Sequence, residues 1–234
     1  MEKKSLKKMM LSLTMIISGM HVMPAFAEGG ISIQGTRIIY PINAKQESLS
    51  VRNSSPEDAF LVQSWVESAD GQKSHDFVVT PPLYLSGPKN ENTLRLMRVA
   101  GQLPKDRESL YYFVSKAIPS IDDEGGSSKN VLRIAASTRI KLFVRPAGLT
   151  PAAKDAPSYL SFQRVGGEVK IINPTPYYIT LTDIKVGGRS LKDIMVAPKA
   201  SAQERLPASG SSELTFHTLN DYGAITTKQS GTIK

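Results

Sequence analysis

From Ile31 onward the chain is a succession of short runs in which apolar and polar residues alternate, each stopped by turn residues. This pattern constrains the fold more than any other feature. The runs "ISIQGTRIIY", "ESLSVRN", "AFLVQSWVES", "DFVVT", "TLRLMRV", "SLYYFVSKAI" and "VLRIAASTRIKLFV" end at Pro41, "NSSPED", "ADGQ", Pro81-Pro82, Gly101, Pro119 and Pro146. Alternation of period two sends successive side chains to opposite faces of a strand. Seven such runs, with turn signals about every ten residues, make the pattern of an immunoglobulin-like β-sandwich. No stretch carries a helical period.

Residues 147–158, "AGLTPAAKDAPS", break the pattern with Ala and Pro and read as a short, fairly stiff linker. A second β series follows: "YLSFQRV", "EVKIINPT", "YYITLTDIKV", "IMVAPKASAQERL", "SELTFHTL" and "AITTKQSGTI". The expected architecture is all-β, with two immunoglobulin-like sandwich domains. Their expected bounds are 28–147 and 158–234, with a linker at 148–157.

The first 27 residues differ from the rest. Lys3, Lys4, Lys7 and Lys8 precede an uncharged run that ends in Ala25-Phe26-Ala27. A positive start, an apolar stretch and a small-x-small end describe a secretory signal, cleaved after Ala27. Such a chain works outside the cytoplasm, with no membrane insertion of the mature part. The whole chain has 29 Lys and Arg against 21 Asp and Glu, and the signal removes four and one of these. The remaining 25 cations against 20 carboxylates leave a net charge of +5, a weak and scattered excess that argues against nucleic-acid binding.

There is no cysteine, and beyond the signal the only histidines are His75 and His217. A thiol nucleophile is therefore excluded and the usual zinc constellations are missing, so no metal and no cofactor is expected. Neither histidine sits in a nucleophile motif such as G-x-S-x-G, and no phosphate-cradling glycine loop is present. An enzyme is not expected. The rival from another class is an exported adhesin or carbohydrate-binding sandwich, with Tyr111, Tyr112, Tyr177 and Tyr178 as a stacking platform.

The stretch with most chemistry is "STRIKLFVRP" at 137–146. Arg139, Lys141 and Arg145 share one parity, and Ile140, Leu142 and Val144 share the other. One reading is a half-buried strand with a solvated basic face; the other is that one cation waits for an anion.

Several blocks resemble one family in order along the chain: "TRIIYP" (36–41), "QSWVE" (63–67), "VTPPL" (79–83), "LPKDRESLYYF" (103–113), "STRIKLFVRP", "INPTPYYIT" (172–180) and "LNDYGA" (219–224). The chain resembles the periplasmic chaperones of pilus (fimbrial) assembly by the chaperone–usher route, in the short-loop branch. The resemblance implies two immunoglobulin-like domains in a boomerang. In their cleft an arginine and a lysine bind the C-terminal carboxylate of a pilus subunit. Those positions fall on Arg37 and Lys141. It also implies an interdomain charge network of Glu108, Arg145 and Asp221, which could equally be three unrelated surface charges. The partners it implies are pilus subunits and an outer-membrane usher, with self-capping as a homodimer left open.

The same resemblance implies that the chaperone lends a strand to an incomplete subunit, which is donor-strand complementation. The lent segment starts at "NVLRIAAS", with Leu132, Ile134 and Ala136 as its apolar set. Ala136 is smaller than the bulky aliphatic the family often has there. Thr138, Ile140, Leu142 and Val144 share this parity, so periodicity alone leaves the whole face readable as ordinary core.

Overall fold

The computed structural model describes residues 29–120, 134–207 and 210–234. Among the described residues, nine strands form the first sandwich: β1 (Ile31–Ile33), β2 (Arg37–Pro41), β3 (Glu47–Asn53), β4 (Phe60–Ser68), β5 (Phe77–Thr80), β6 (Leu83–Ser86), β7 (Glu91–Arg98), β8 (Ser109–Pro119) and β9 (Ala136–Arg145). One sheet has the order β1-β3-β7-β5 and the other β2-β9-β8-β4-β6. Period-two alternation fills the space between them. Leu49 and Val51 on β3, Val62 and Val66 on β4, Leu94 and Leu96 on β7, Phe113 on β8, and Leu142 and Val144 on β9 are buried. Each such side chain is worth about 1.5–3 kcal/mol relative to exposure. Tyr40 joins this core because its hydroxyl donates to Ala44 O and accepts from Arg98 N, so its polar end is satisfied.

The run "ISIQGTRIIY" is not one strand. Gly35, at φ 95°, breaks it. β1 pairs antiparallel with β3, and β2 crosses to the other sheet to lie parallel to β9. The short edge strand β6, which follows Pro81-Pro82, also has no counterpart in the sequence reading; it pairs with β4.

The second sandwich contains β10 (Ser161–Val165), β11 (Glu168–Asn173), β12 (Ile179–Val186), β13 (Arg189–Ser190), β14 (Ile194–Val196), β15 (Ala200–Arg205), β16 (Glu213–Thr218) and β17 (Gln229–Thr232). Its sheets are β10-β11-β15 and β13-β12-β16-β17, with β14 also on β12. The run "IMVAPKASAQERL" splits into β14 and β15 around Lys199, which has φ 54°. Val169, Ile171, Ile179, Leu181, Ile184, Leu214 and Phe216 form a second core.

The segment between the sandwiches is not a free tether. Ala156 is buried in the second core, with Leu149 and Ala153 packed against it. The Tyr177 hydroxyl lies within hydrogen-bond distance of Pro151 O at 3.0 Å, and a single 3-10 turn, Ala156–Tyr159, leads into β10. Among the described residues no helix is long and apolar enough to cross a membrane.

Candidate functional site

In β2, Ile38 and Tyr40 face the core, so Arg37 and Ile39 point outward. In β9, Ile140, Leu142 and Val144 face inward, which turns Arg139, Lys141, Phe143 and Arg145 outward. The parallel ladder sets Arg37 opposite Lys141 and Pro41 opposite Arg145. Adjacent strands lie about 4.8 Å apart, so two cations from distant parts of the chain stand side by side on one face.

Both are partly buried, and the cost appears in their acidities. Burial pulls the Arg37 guanidinium below its ordinary value, against the opposing influence of Asp221 and Glu108. The Lys141 ammonium is lowered by burial and then by the charge of Arg37. The Arg37 Nε is buried without a hydrogen-bond partner among the described residues. A buried donor left unpaired costs about 1–3 kcal/mol. A two-oxygen anion would relieve both defects, because the guanidinium presents a planar fork and the ammonium a mobile point charge.

Arg139 is different. Its Nε donates to Glu67 Oε2 at 2.8 Å, and its guanidinium carbon lies 3.3 Å from the Tyr112 ring centroid. Glu67 also accepts from Trp65 Nε1. Arg139 is thus an occupied surface cation.

Arg145 joins the two sandwiches. Its Nε donates to Glu108 Oε1 at 2.7 Å, and its two terminal nitrogens donate to the carboxylate oxygens of Asp221, both at 2.7 Å. Glu108 is 3% exposed, and its second oxygen accepts from the Tyr178 amide at 2.8 Å. Burial pushes the Glu108 carboxyl up, while Arg145 and the Tyr178 amide pull it down. The Glu108 amide donates to Pro176 O, and Lys199 Nζ meets Asp106 at 2.6 Å. Glu108, Arg145 and Asp221 are therefore in direct contact across the boundary.

Asp221 sits in a tight turn, Asn220–Ala224. Its Asn220 side chain accepts from the Tyr222 and Ala224 amides. At Gly223, φ is 81°, and a Cβ would fall 1.9 Å from Thr36 Oγ1. Only glycine lets this turn lie against the start of β2. Between the sandwiches lies a cavity of about 260 Å³, whose walls include Arg37, Ile39, Phe143, Tyr178 and Tyr222.

At the other end of β9 the inward face changes character. Ile134 is 70% exposed and lies outside the strand, and Ala136 and Thr138 are exposed; Ile140 is the first residue of that parity to join the core. The strand therefore begins later than the run "NVLRIAAS" suggests. Leu132 lies outside the described residues, as does the expected signal 1–27.

The tyrosine pairs do not make a platform. Tyr111 and Tyr177 are buried in their cores, Tyr112 is covered by Arg139, and Tyr178 packs on Phe143 with ring centroids 5.4 Å apart. His75 is exposed, and His217 Nδ1 is 2.8 Å from Thr226 O. Among the described residues no three His, Asp or Glu side chains are placed to hold a metal ion. Sequence reasoning missed Phe143, Tyr222 and the Gly223–Thr36 contact. The signal for Phe143 was its outward parity between two cations, an apolar residue where solvent was expected.

Residues 30–150 match the family model "Pili and flagellar-assembly chaperone, PapD N-terminal domain", and residues 155–230 match "Pili assembly chaperone PapD, C-terminal domain". The chain is 44% identical over 202 residues to the probable fimbrial chaperone SfmC of Escherichia coli K12, covering 86% of this chain and 88% of the relative. It is 44% identical over 209 residues to the chaperone protein FimC of the same strain, covering 89% and 86%. Among solved structures, the periplasmic chaperone SfaE superposes with a TM-score of 0.76 at 41% identity, over 88% of this chain and all of that one. A chain of the Salmonella enterica complex of SafA pilin with the SafB chaperone gives a TM-score of 0.79 at 28% identity, over 89% and 99%. Two matched domains in sequence order, relatives matched over nearly their whole length and a shared two-sandwich fold place this chain in the family of PapD-like pilus-assembly chaperones.

Proposed function

We propose that this chaperone captures pilus subunits by their C-terminal carboxylate, held between Arg37 and Lys141. The observation that carries this reading is the shared rung of the β2–β9 ladder, with two partly desolvated cations side by side. No carboxylate lies within ion-pair distance of either among the described residues. Two converging cations away from bulk water hold an anion far better than an exposed pair does.

The segment before β9 then supplies the rest of the interaction. A subunit lacking its last strand exposes a hydrophobic groove and unpaired backbone groups. Leu132, Ile134 and Ala136 would enter that groove while the backbone completes the sheet. The exposed Ile134 and Ala136 support this, because no core of the chaperone claims them. The Glu108–Arg145–Asp221 network serves to fix the angle between the sandwiches, which keeps the cleft open at the anchor. Segment 1–27 directs export to the periplasm and is removed. Loaded chaperone passes its subunit to an outer-membrane usher. The work is binding, with no chemical turnover and no cofactor.

The test is co-expression of the chain with candidate subunits, followed by isolation of periplasmic complexes. The wild type yields a stoichiometric complex, and the Lys141→Ala variant yields none. Equal recovery with both would overturn the anchor.

A further inference from the structure

We infer that the cavity between the two sandwiches receives the side chain of the last residue of the captured chain, so that the second sandwich selects which chain ends are held. This rests on the reading that Arg37 and Lys141 take a terminal carboxylate. Arg37 belongs to both features, sharing a rung with Lys141 and lining the cavity. A carboxylate held there is one bond from the Cα of the residue that carries it. That residue's side chain therefore emerges beside the cavity.

Size and wall chemistry fit such an occupant. The cavity has about 260 Å³, and an apolar cavity of about 150 Å³ already takes a benzene. There is room for one large side chain. Ile39, Phe143, Pro157, Tyr178, Ile179 and Tyr222 supply apolar wall. The lining groups Glu108, Arg145 and Asp221 are bonded to one another, and the remaining charges on the wall are Arg37 and Lys154.

Tyr222 is a second, independent observation. It is 90% exposed, yet the turn that carries it is fixed by Asp221 on Arg145, by Gly223 against Thr36 and by the Asn220 side chain. A rigidly presented aromatic ring facing water is a poor use of its apolar surface unless something covers it. A terminal side chain entering beside Arg37 would cover it.

The experiment uses the mature two-domain protein and host peptides of alternating Val and Thr, nine residues long. They are identical but for a last residue of Tyr, Leu or Gly with a free carboxylate, and a Tyr-ended amide is the fourth probe. Titration calorimetry is expected to show Tyr and Leu ends bound at least tenfold more tightly than Gly, about 1.4 kcal/mol, and Tyr222→Ala is expected to shrink that ratio at least threefold. The amide should not bind. Equal affinities for Tyr, Leu and Gly ends would overturn the pocket while leaving the carboxylate anchor standing. A preference that survives Tyr222→Ala unchanged would place the selecting surface elsewhere and overturn it too. Binding of the amide as tight as the acid, or no binding by any acid, would instead overturn the anchor itself.

Discussion

Arg37 and Lys141 are direct partners across the parallel ladder of β2 and β9, and burial lowers the pKa of both. Two like charges this close are unfavourable until an anion arrives. The free protein therefore holds two neighbouring cations whose mutual repulsion a bound anion would relieve.

Removing either cation should abolish subunit capture and leave the chaperone folded. Truncating one partner of a buried charge-assisted contact costs about 2–5 kcal/mol. Arg37→Ala and Lys141→Ala should raise Kd beyond the range of periplasmic complexes, with thermal midpoints at or above wild type because a like-charge repulsion is gone. Arg139→Ala should change capture little, since that side chain serves Glu67 and Tyr112. Pull-down and thermal unfolding of the three variants check this; normal complexes from both anchor variants would refute it.

The pH dependence has a worked-out sign. The proton on Lys141 is held less tightly in the folded chaperone than in the unfolded chain, for which an ordinary lysine value is about 10.4. As pH rises through the lowered value the folded state loses the charge first, so the free chaperone gains stability up to the ordinary lysine range. Capture runs the other way and weakens over the same window. Lys141→Arg should remove this upper limb, because guanidinium stays charged. Peptide affinity between pH 7 and 10 for wild type and Lys141→Arg measures it, and identical profiles would count against a titrating lysine.

Glu108→Gln should destabilise the boundary more than Asp221→Asn. Glu108 is buried and accepts from both Arg145 and the Tyr178 amide. An amide there has one oxygen for two donors, and its NH₂ would face another N–H. The cost should be on the order of 3 kcal/mol. Asp221 is 43% exposed at its side chain, so its loss is screened and should cost about 1 kcal/mol or less. Unfolding by calorimetry separates the two, and scattering should show a broader range of interdomain angles in Glu108→Gln.

The sandwiches and the inward and outward faces of β9 were legible in the sequence because both follow from period two. The rung was not. Periodicity assigns a residue to a face and is silent on which strand lies beside it, so Arg37 reached Lys141 only through resemblance. Gly35 marked the break that sends β2 to the other sheet, yet a glycine in a strand run fits a bulge as well. Phe143 has the outward parity of Lys141 and Arg145, yet it is buried and packs on Tyr178 of the second sandwich. Such burial depends on how two domains meet, which no local pattern encodes.

The final prediction concerns the even-numbered face of β9 and the segment before it. Ile134 is 70% exposed and Ile140 is 9% exposed, although both have the same parity. If Ile134 enters a subunit groove, its burial there is worth about 1.5–3 kcal/mol to the complex and nothing to the free chaperone. Ile134→Glu should therefore block capture, because a carboxylate would be forced into an apolar groove without a partner. It should leave the thermal midpoint of the free chaperone unchanged. Ile140→Glu places the same charge against Leu142, Val144 and the rest of the first core and should unfold that sandwich. Far-UV circular dichroism and subunit pull-down of the two variants give the contrast. Equal unfolding by both would make Ile134 a core residue and remove the donor segment from the mechanism. Intact folding with undiminished capture by Ile134→Glu would remove it as well, and would leave the Arg37–Lys141 rung as the sole point of attachment.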